Sequence, residues 1–186
     1  MGKLAAGFAL RYPEVRLEVT TEDRPVGMVE EGVDLVTRVN PDRDENLVGR
    51  IFLRDRLAVV ASPALARPRR AAPAVVRTGS EHTAWIVTGQ PDIAIDPVLR
   101  LSSLAMVRDA VRAGVGAGCL PVSVVSHDLA AGTLVRWGDV AGPEIALWAL
   151  YPSRKLLSAR VSAFLDYLKA AFPQGTPDEL AAYLTG

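Results

Sequence analysis

"FALRYPEVRLEV", residues 8–19, carries the reading on which the fold turns. Phe8, Ala9 and Leu10 continue an amphipathic stretch opened by Leu4, and Pro13 interrupts it. Val15, Leu17 and Val19 then alternate with Glu14, Arg16 and Glu18, the period of a half-buried strand. Downstream, Asp23 and Pro25 suit the cap and first turn of a second helix, closed by Glu30, Glu31 and Gly32. "VDLVTRV", residues 33–39, is a β-branched run that reads as the next strand, followed by the polar loop "NPDRDEN". Helix, strand, helix, strand implies parallel strands joined by helical crossovers, an α/β layer architecture.

Further along, Leu47–Phe52 and Leu57–Ala61 carry strand signals, the second stopped by Ser62 and Pro63. Between Arg67 and Pro97 the pattern weakens, leaving "AWIVTG" and "DIAID" as short strands between turns. Ser102 or Ser103 can cap a helix whose Leu104, Val107 and Val111 share one face, with Gly114 as its stop. "ALWALYP", residues 146–152, reads as a buried strand. A last long helix begins near Ser158 and carries the stripe Val161, Phe164, Leu165, Leu168 and Phe172, spaced for a core-facing side. After Pro173, "TPDELAAYL" has a helix-start signature: Thr176 as cap, Pro177 in the first position and Glu179 reaching back.

Composition narrows the function. The 186 residues are 49% hydrophobic and 23% charged, ordinary for a globular protein with a full core. Lys plus Arg and Asp plus Glu both number 21, so there is no overall basic field to attract nucleic acid. The single cysteine, Cys119, sits in the apolar setting "GAGCLP" and reads as a small buried thiol, which suits a reducing cytoplasm. The N-terminal apolar stretch is too short for a secretory signal, and no run approaches the ~20 apolar residues of a membrane span.

Catalytic and metal chemistry leave no sharp signature. "GVGAG", Gly114–Gly118, follows a helix and leads into an apolar strand, the reverse of a nucleotide loop, and reads as a helix-terminating turn. His82 and His127 are the only histidines and have no cysteine or carboxylate at metal spacing beside them. No Gly-x-Ser-x-Gly elbow occurs. Two places suit a small anion. "TTEDR", residues 20–24, lies where a strand gives way to a helix, and Ser102 and Ser103 offer hydroxyls at a helix N-terminus. Either can equally be a cap.

Taken in order, "FALRYPEVRLEV", "EEGVDLVTRV", "LVGRIFLRDRLAVVASPAL", "AGVGAGCLP", "LAAGTLV" and "YPSRKLLSARVSAFLDYL" resemble the effector-binding domain of LysR-type transcriptional regulators up to about Phe172. The resemblance implies a periplasmic-binding-protein-like type II α/β fold: two α/β subdomains joined by two crossover strands, with a small effector in the cleft. It implies a first subdomain of residues 1–60 and 150–186, a second of 61–149, crossovers at "AVVASP" and "WALYPSR", and a C-terminal extension, 173–186, holding a short helix. On that template Thr20, Thr21 and Glu22 form one cleft wall with Val39 and Asn40 nearby, Arg38 is a counter-charge, and Ser102 and Ser103 face them. Many relatives carry Asn-Asp where Ser102 and Ser103 stand, so the effector cannot be copied from a relative.

The resemblance further implies a non-enzyme without cofactor or metal. Its partners would be a small organic anion, carrying a carboxylate, and a second copy in a homodimer or higher oligomer. Contact with DNA would come only through a winged helix-turn-helix not present in these residues. Because the chain begins inside the helix that follows the family's first strand, it reads as a fragment with a marginally stable first subdomain. Two alternatives share the fold: a stand-alone solute-binding or enzymatic protein, and a truncated dimerisation partner of a full-length regulator.

Overall fold

The computed structural model describes residues 2–20, 32–42, 47–152 and 157–184. In chain order the elements are α1 (Gly2–Arg11), β1 (Val36–Val39), β2 (Leu47–Asp55), β3 (Leu57–Ala61), β4 (Ala72–Arg77), β5 (Ala84–Trp85) and β6 (Ile93–Leu101). Then come α2 (Leu104–Arg112), β7 (Gly118–Pro121), α3 (Val122–Ala130), β8 (Val135–Asp139), β9 (Ile145–Pro152), α4 (Ala159–Ala171) and α5 (Pro177–Leu184). The chain divides into two compact units, the first reaching to Arg54 and resuming over Ile145–Leu184, the second running continuously over Asp55–Glu144. The changeovers at 54–55 and 144–145 each fall before the stretch expected to cross, since "AVVASP" contains β3, which pairs within the second unit.

In the first unit the sheet order is β1-β9-β2. β1 runs antiparallel to β9, in a register that sets Val36 opposite Leu150 and Val39 opposite Leu147. The apolar spacing of α1 buries Leu4 and Phe8, four residues apart and therefore on one face. Phe8 meets the rings of Tyr12, Phe164 and Tyr167 at 4.8, 5.0 and 5.5 Å between centroids. Burying such a ring is worth about 1.5–3 kcal/mol before geometry is counted. α4 begins where expected, with Ser158 Oγ accepting from the Val161 amide at 3.3 Å, and its stripe enters the core through Val161, Leu165, Leu168 and Phe172. Phe164 packs at the edge of that core.

The second unit holds two three-stranded sheets, ordered β7-β3-β8 and β4-β6-β5. They meet at a parallel bridge between Ala74 and Ala117. Gly116 explains part of "GVGAG": a Cβ there would lie 2.6 Å from the Pro73 carbonyl oxygen, so only glycine lets the chain entering β7 approach β4. Gly114, at φ 82°, ends α2 in the left-handed conformation, which confirms the helix-terminating turn. β3 is buried throughout its last four residues, Ala58 to Ala61, because it has a neighbour on each side.

α3 has no signal in the sequence and needs an explanation. "VSVVSHDLA" is rich in β-branched residues, and its N-cap position is Pro121, which offers no side-chain cap. The cap comes from a distant residue. Asp55 Oδ2 accepts from the Ser123 hydroxyl at 2.6 Å and from the Ser123 amide at 3.4 Å, and Oδ1 accepts from the Arg56 amide at 2.7 Å. A buried carboxylate at the end of β2 thus satisfies the opening turn of a helix 68 residues away.

Other expectations are corrected. Val15–Val19 lies in neither helix nor strand, with Leu17 and Val19 exposed, because alternation makes a strand only where a neighbour pairs with it and no described strand does so. The helix expected from Asp23 falls outside the described residues except for Gly32, a turn residue at φ 68°. β4 and β6 run parallel, while β1–β9, β3–β7, β3–β8 and β5–β6 are antiparallel. Apart from β5–β6, the antiparallel pairs join segments far apart in sequence, so local helix–strand alternation does not set their direction. β4, hidden in the sequence by Pro73, is a full strand of six residues.

Candidate functional site

Of the residues expected to hold a ligand, Thr20, Arg38, Val39 and Asn40 belong to the first unit and Ser102 and Ser103 to the second. Thr21 and Glu22 lie outside the described residues. Thr20 is exposed at the end of the unpaired segment. On β1, Val36 and Arg38 share the half-buried face, whereas Thr37 and Val39 point to the exposed one. This decides the orientation that the alternation left open: Arg38 and Val39 cannot serve the same surface.

Asn40 ends β1 in the left-handed region, at φ 40°, a conformation asparagine tolerates better than most residues. Its amide donates to the Ala146 carbonyl at 2.9 Å, and its Oδ1 accepts from the Ala146 amide at 2.7 Å. The side chain therefore extends the β1–β9 ladder by one rung, a role that no spacing in the sequence announces.

In the second unit Ser103 is the cap of α2, with extended backbone, its Oγ accepting from the Met106 amide at 3.3 Å. Ser102 precedes the helix and is exposed, its hydroxyl 3.9 Å from the Met106 sulfur. Both hydroxyls therefore engage the first turn of α2: Ser103 accepts from the Met106 amide, and Ser102 donates to the Met106 sulfur. Two arginines stand beside them that the sequence reading missed. Arg77 Nη2 donates to the Ser102 carbonyl at 3.4 Å, and Arg100 Nη1 donates to the Ser80 carbonyl at 2.8 Å. Both lie near the carboxyl ends of the parallel pair β4 and β6, the end of an α/β sheet at which ligands bind. Recognising β4 as a strand would have found Arg77.

The other polar groups serve structure. Asp128, buried on α3, takes Arg112 Nε at 3.1 Å and the Thr133 hydroxyl at 2.9 Å, with Arg108 Nε at 4.0 Å. A wide, open depression beside it is lined by Asp109, Arg112, Ala113 and Thr133, at the far end of α2 from the serines. In the first unit, Val33, Asp34, Tyr151, Pro152, Leu157, Ser158 and Val161 line a small, half-open cavity of about 50 Å³, room for a few waters. None of the expected ligand residues lines either space. Burial pushes the Cys119 thiol up to about 11, which keeps it protonated and unreactive near neutral pH. Among the described residues no group of three or more His, Cys, Asp and Glu is arranged to hold a metal ion.

Comparison with known proteins places this geometry. The family model described as the LysR substrate binding domain matches residues 1–173. The chain is 30% identical over 187 residues to the HTH-type transcriptional regulator CrgA of Neisseria meningitidis serogroup C, covering 90% of this chain and 61% of that protein. It is 26% identical over 188 residues to the probable HTH-type transcriptional regulator LtrA of Klebsiella pneumoniae, covering 91% and 60%. The chain therefore spans about 60% of the length of the curated relatives it matches. Among solved structures, the CrgA regulatory domain superposes with a TM-score of 0.78 at 26% identity, covering 92% of this chain and 91% of that one. The regulatory domain of AphB from Vibrio vulnificus, treated with cumene hydroperoxide, gives 0.73 at 26% identity, covering 91% and 92%. With the family model matched over nearly its whole length and LysR regulatory domains sharing its fold, the chain belongs to the LysR substrate-binding domain family.

Proposed function

We propose that this chain is the effector-sensing part of a LysR-type transcription regulator and that it takes a small organic anion, carrying a carboxylate, in a cleft between its two units. The observation that carries the reading is the family match over residues 1–173, together with curated relatives that are transcriptional regulators. In this reading the chain catalyses nothing and works in the cytoplasm as a dimer or larger assembly. DNA is contacted through a winged helix-turn-helix belonging to the rest of the regulator. Among the described residues no helix is long and apolar enough to cross a membrane, which fits that setting.

The contacts proposed are the Ser102 hydroxyl and the amides opening α2 from the second unit, with Thr20 or Thr21 from the first. Support comes from the exposure of Ser102, whose hydroxyl has a weak sulfur acceptor in Met106, and from Arg77 at its carbonyl. Ser103 contributes through the cap that holds those amides in place. Calorimetric titration with a panel of small carboxylates tests the reading. Ser102→Ala should weaken the best binder by about tenfold, the worth of one hydrogen bond to a charged group. Ser103→Asp keeps a capping oxygen but sets a negative charge at the site, and should abolish binding while leaving α2 folded. Affinities equal to the unaltered chain in both variants would remove the serines from the site.

A further inference from the structure

The residues after Pro173 lie beyond the matched domain, yet they are built into the first unit. β2 is the outer strand of its sheet, so one of its edges has no strand partner among the described residues. At the end of that edge the Arg54 amide donates to the Gly175 carbonyl at 2.8 Å. Gly175 is held at φ 63°, and a Cβ on it would sit 3.3 Å from the Phe52 carbonyl oxygen, so conformation and space both call for glycine. Glu179 locks the turn: Oε1 accepts from the Gln174 amide and Oε2 from the Thr176 amide, each at 3.0 Å. α5 then buries Leu180 and Ala181, with Leu180 in the cluster that contains Leu4, Leu53 and Phe172. Tyr183 lies 5.5 Å from Phe172, whose ring is 5.5 Å from Phe52.

Arg54 is the last residue of the first unit before the changeover, and Asp55 is the first of the second. Two successive residues are therefore anchored to different units: Arg54 to Gly175, Asp55 to Ser123. We propose that Gln174–Leu184 is a strap that covers the end of β2 and fixes the residue at which the chain leaves the first unit. Edge strands need such covers, because their unpaired amides and carbonyls are open to other chains.

Amide exchange on the 186-residue chain tests it. Gly175→Ala and Glu179→Ala each leave the apolar face of α5 intact, and each should speed exchange at Arg54 by about tenfold, the loss of one net hydrogen bond. Amides of β3 and β7 in the second unit should keep their protection. Removing residues 174–186 should extend the loss to Leu53 and to α1. Arg54 exchanging at its original rate in both point variants would overturn the proposal, as would an equal loss of protection in β3 and β7.

Discussion

The two units solve the same problem with different materials. The second is one continuous segment, and its central strand β3 has a neighbour on each side, with Val59 and Val60 at 0% exposure. The first is assembled from two segments of chain, its sheet ends at β1 with Val39 at 59% exposure, and Val15–Val19 has no strand partner among the described residues. What holds it is helical and aromatic: α1, α4 and α5 around Leu4, Phe8, Leu168 and Phe172. Where strand pairing is incomplete, the burden shifts to side-chain packing, so this unit should respond more to loss of a ring than to changes in its sheet.

The largest effect that would expose this difference is expected from Phe8→Ala. It removes a ring that touches three others and should cost about 3–5 kcal/mol, confined to the first unit. Exchange should accelerate across β1 and β9 while β3 and β7 hold, and in the unaltered chain the amides of Arg16–Val19 should already exchange almost freely. Simultaneous loss in both units would show that they unfold as one and would break the comparison. Leu120→Ala is the counterpart in the second unit, a fully buried side chain whose truncation should cost about 2–5 kcal/mol with the pattern reversed.

Asp55→Asn sharpens the comparison at the changeover itself. An amide keeps one acceptor oxygen where the carboxylate uses two, so either the Arg56 or the Ser123 bond fails, at about 1–3 kcal/mol. Loss of protection should begin in the first turn of α3. Unchanged exchange there would mean that the helix does not depend on its distant cap.

The smallest effect concerns Cys119, in the better-packed unit. Its thiol, raised from 9.0 to about 11 by burial, stays protonated in the folded chain over a range in which the unfolded chain ionises. The unfolded state then binds fewer protons, so this contribution is whole below the unfolded value and is lost as pH climbs through about 9 to about 11. Denaturation midpoints of the chain and of Cys119→Ala, compared across that window, should show the steeper fall in the unaltered chain. Parallel curves would mean that water reaches the sulfur.

Much of the fold was legible because the decisive signals were local. A cap at Ser102 or Ser103, Gly114 as a stop, a helix start near Ser158, the α4 stripe and the Thr176-to-Glu179 helix start depend on residues a few positions apart, and the structure puts Ser103 at the cap of α2 and the others where the pattern places them. The resemblance that identified the LysR family is likewise a property of linear order. Of the site, the sequence determined which hydroxyls stand at a helix start, but not that Ser103 accepts from the Met106 amide while Ser102 donates to the Met106 sulfur.

What the sequence alone did not decide are the features that need a partner from elsewhere in the chain. Val15–Val19 alternates correctly and still makes no strand, because a strand exists only through its neighbour. α3 looks unlike a helix and is one, because Asp55 caps it across 68 residues. Asn40, expected near the ligand, extends a ladder to Ala146, 106 residues on, through its side chain. Arg77 was passed over because β4 was, and β4 is recognisable only beside β6. Propensity and capping act within a turn or two of chain, whereas pairing, burial and long-range hydrogen bonds are properties of the folded arrangement. The tertiary structure alone settled those.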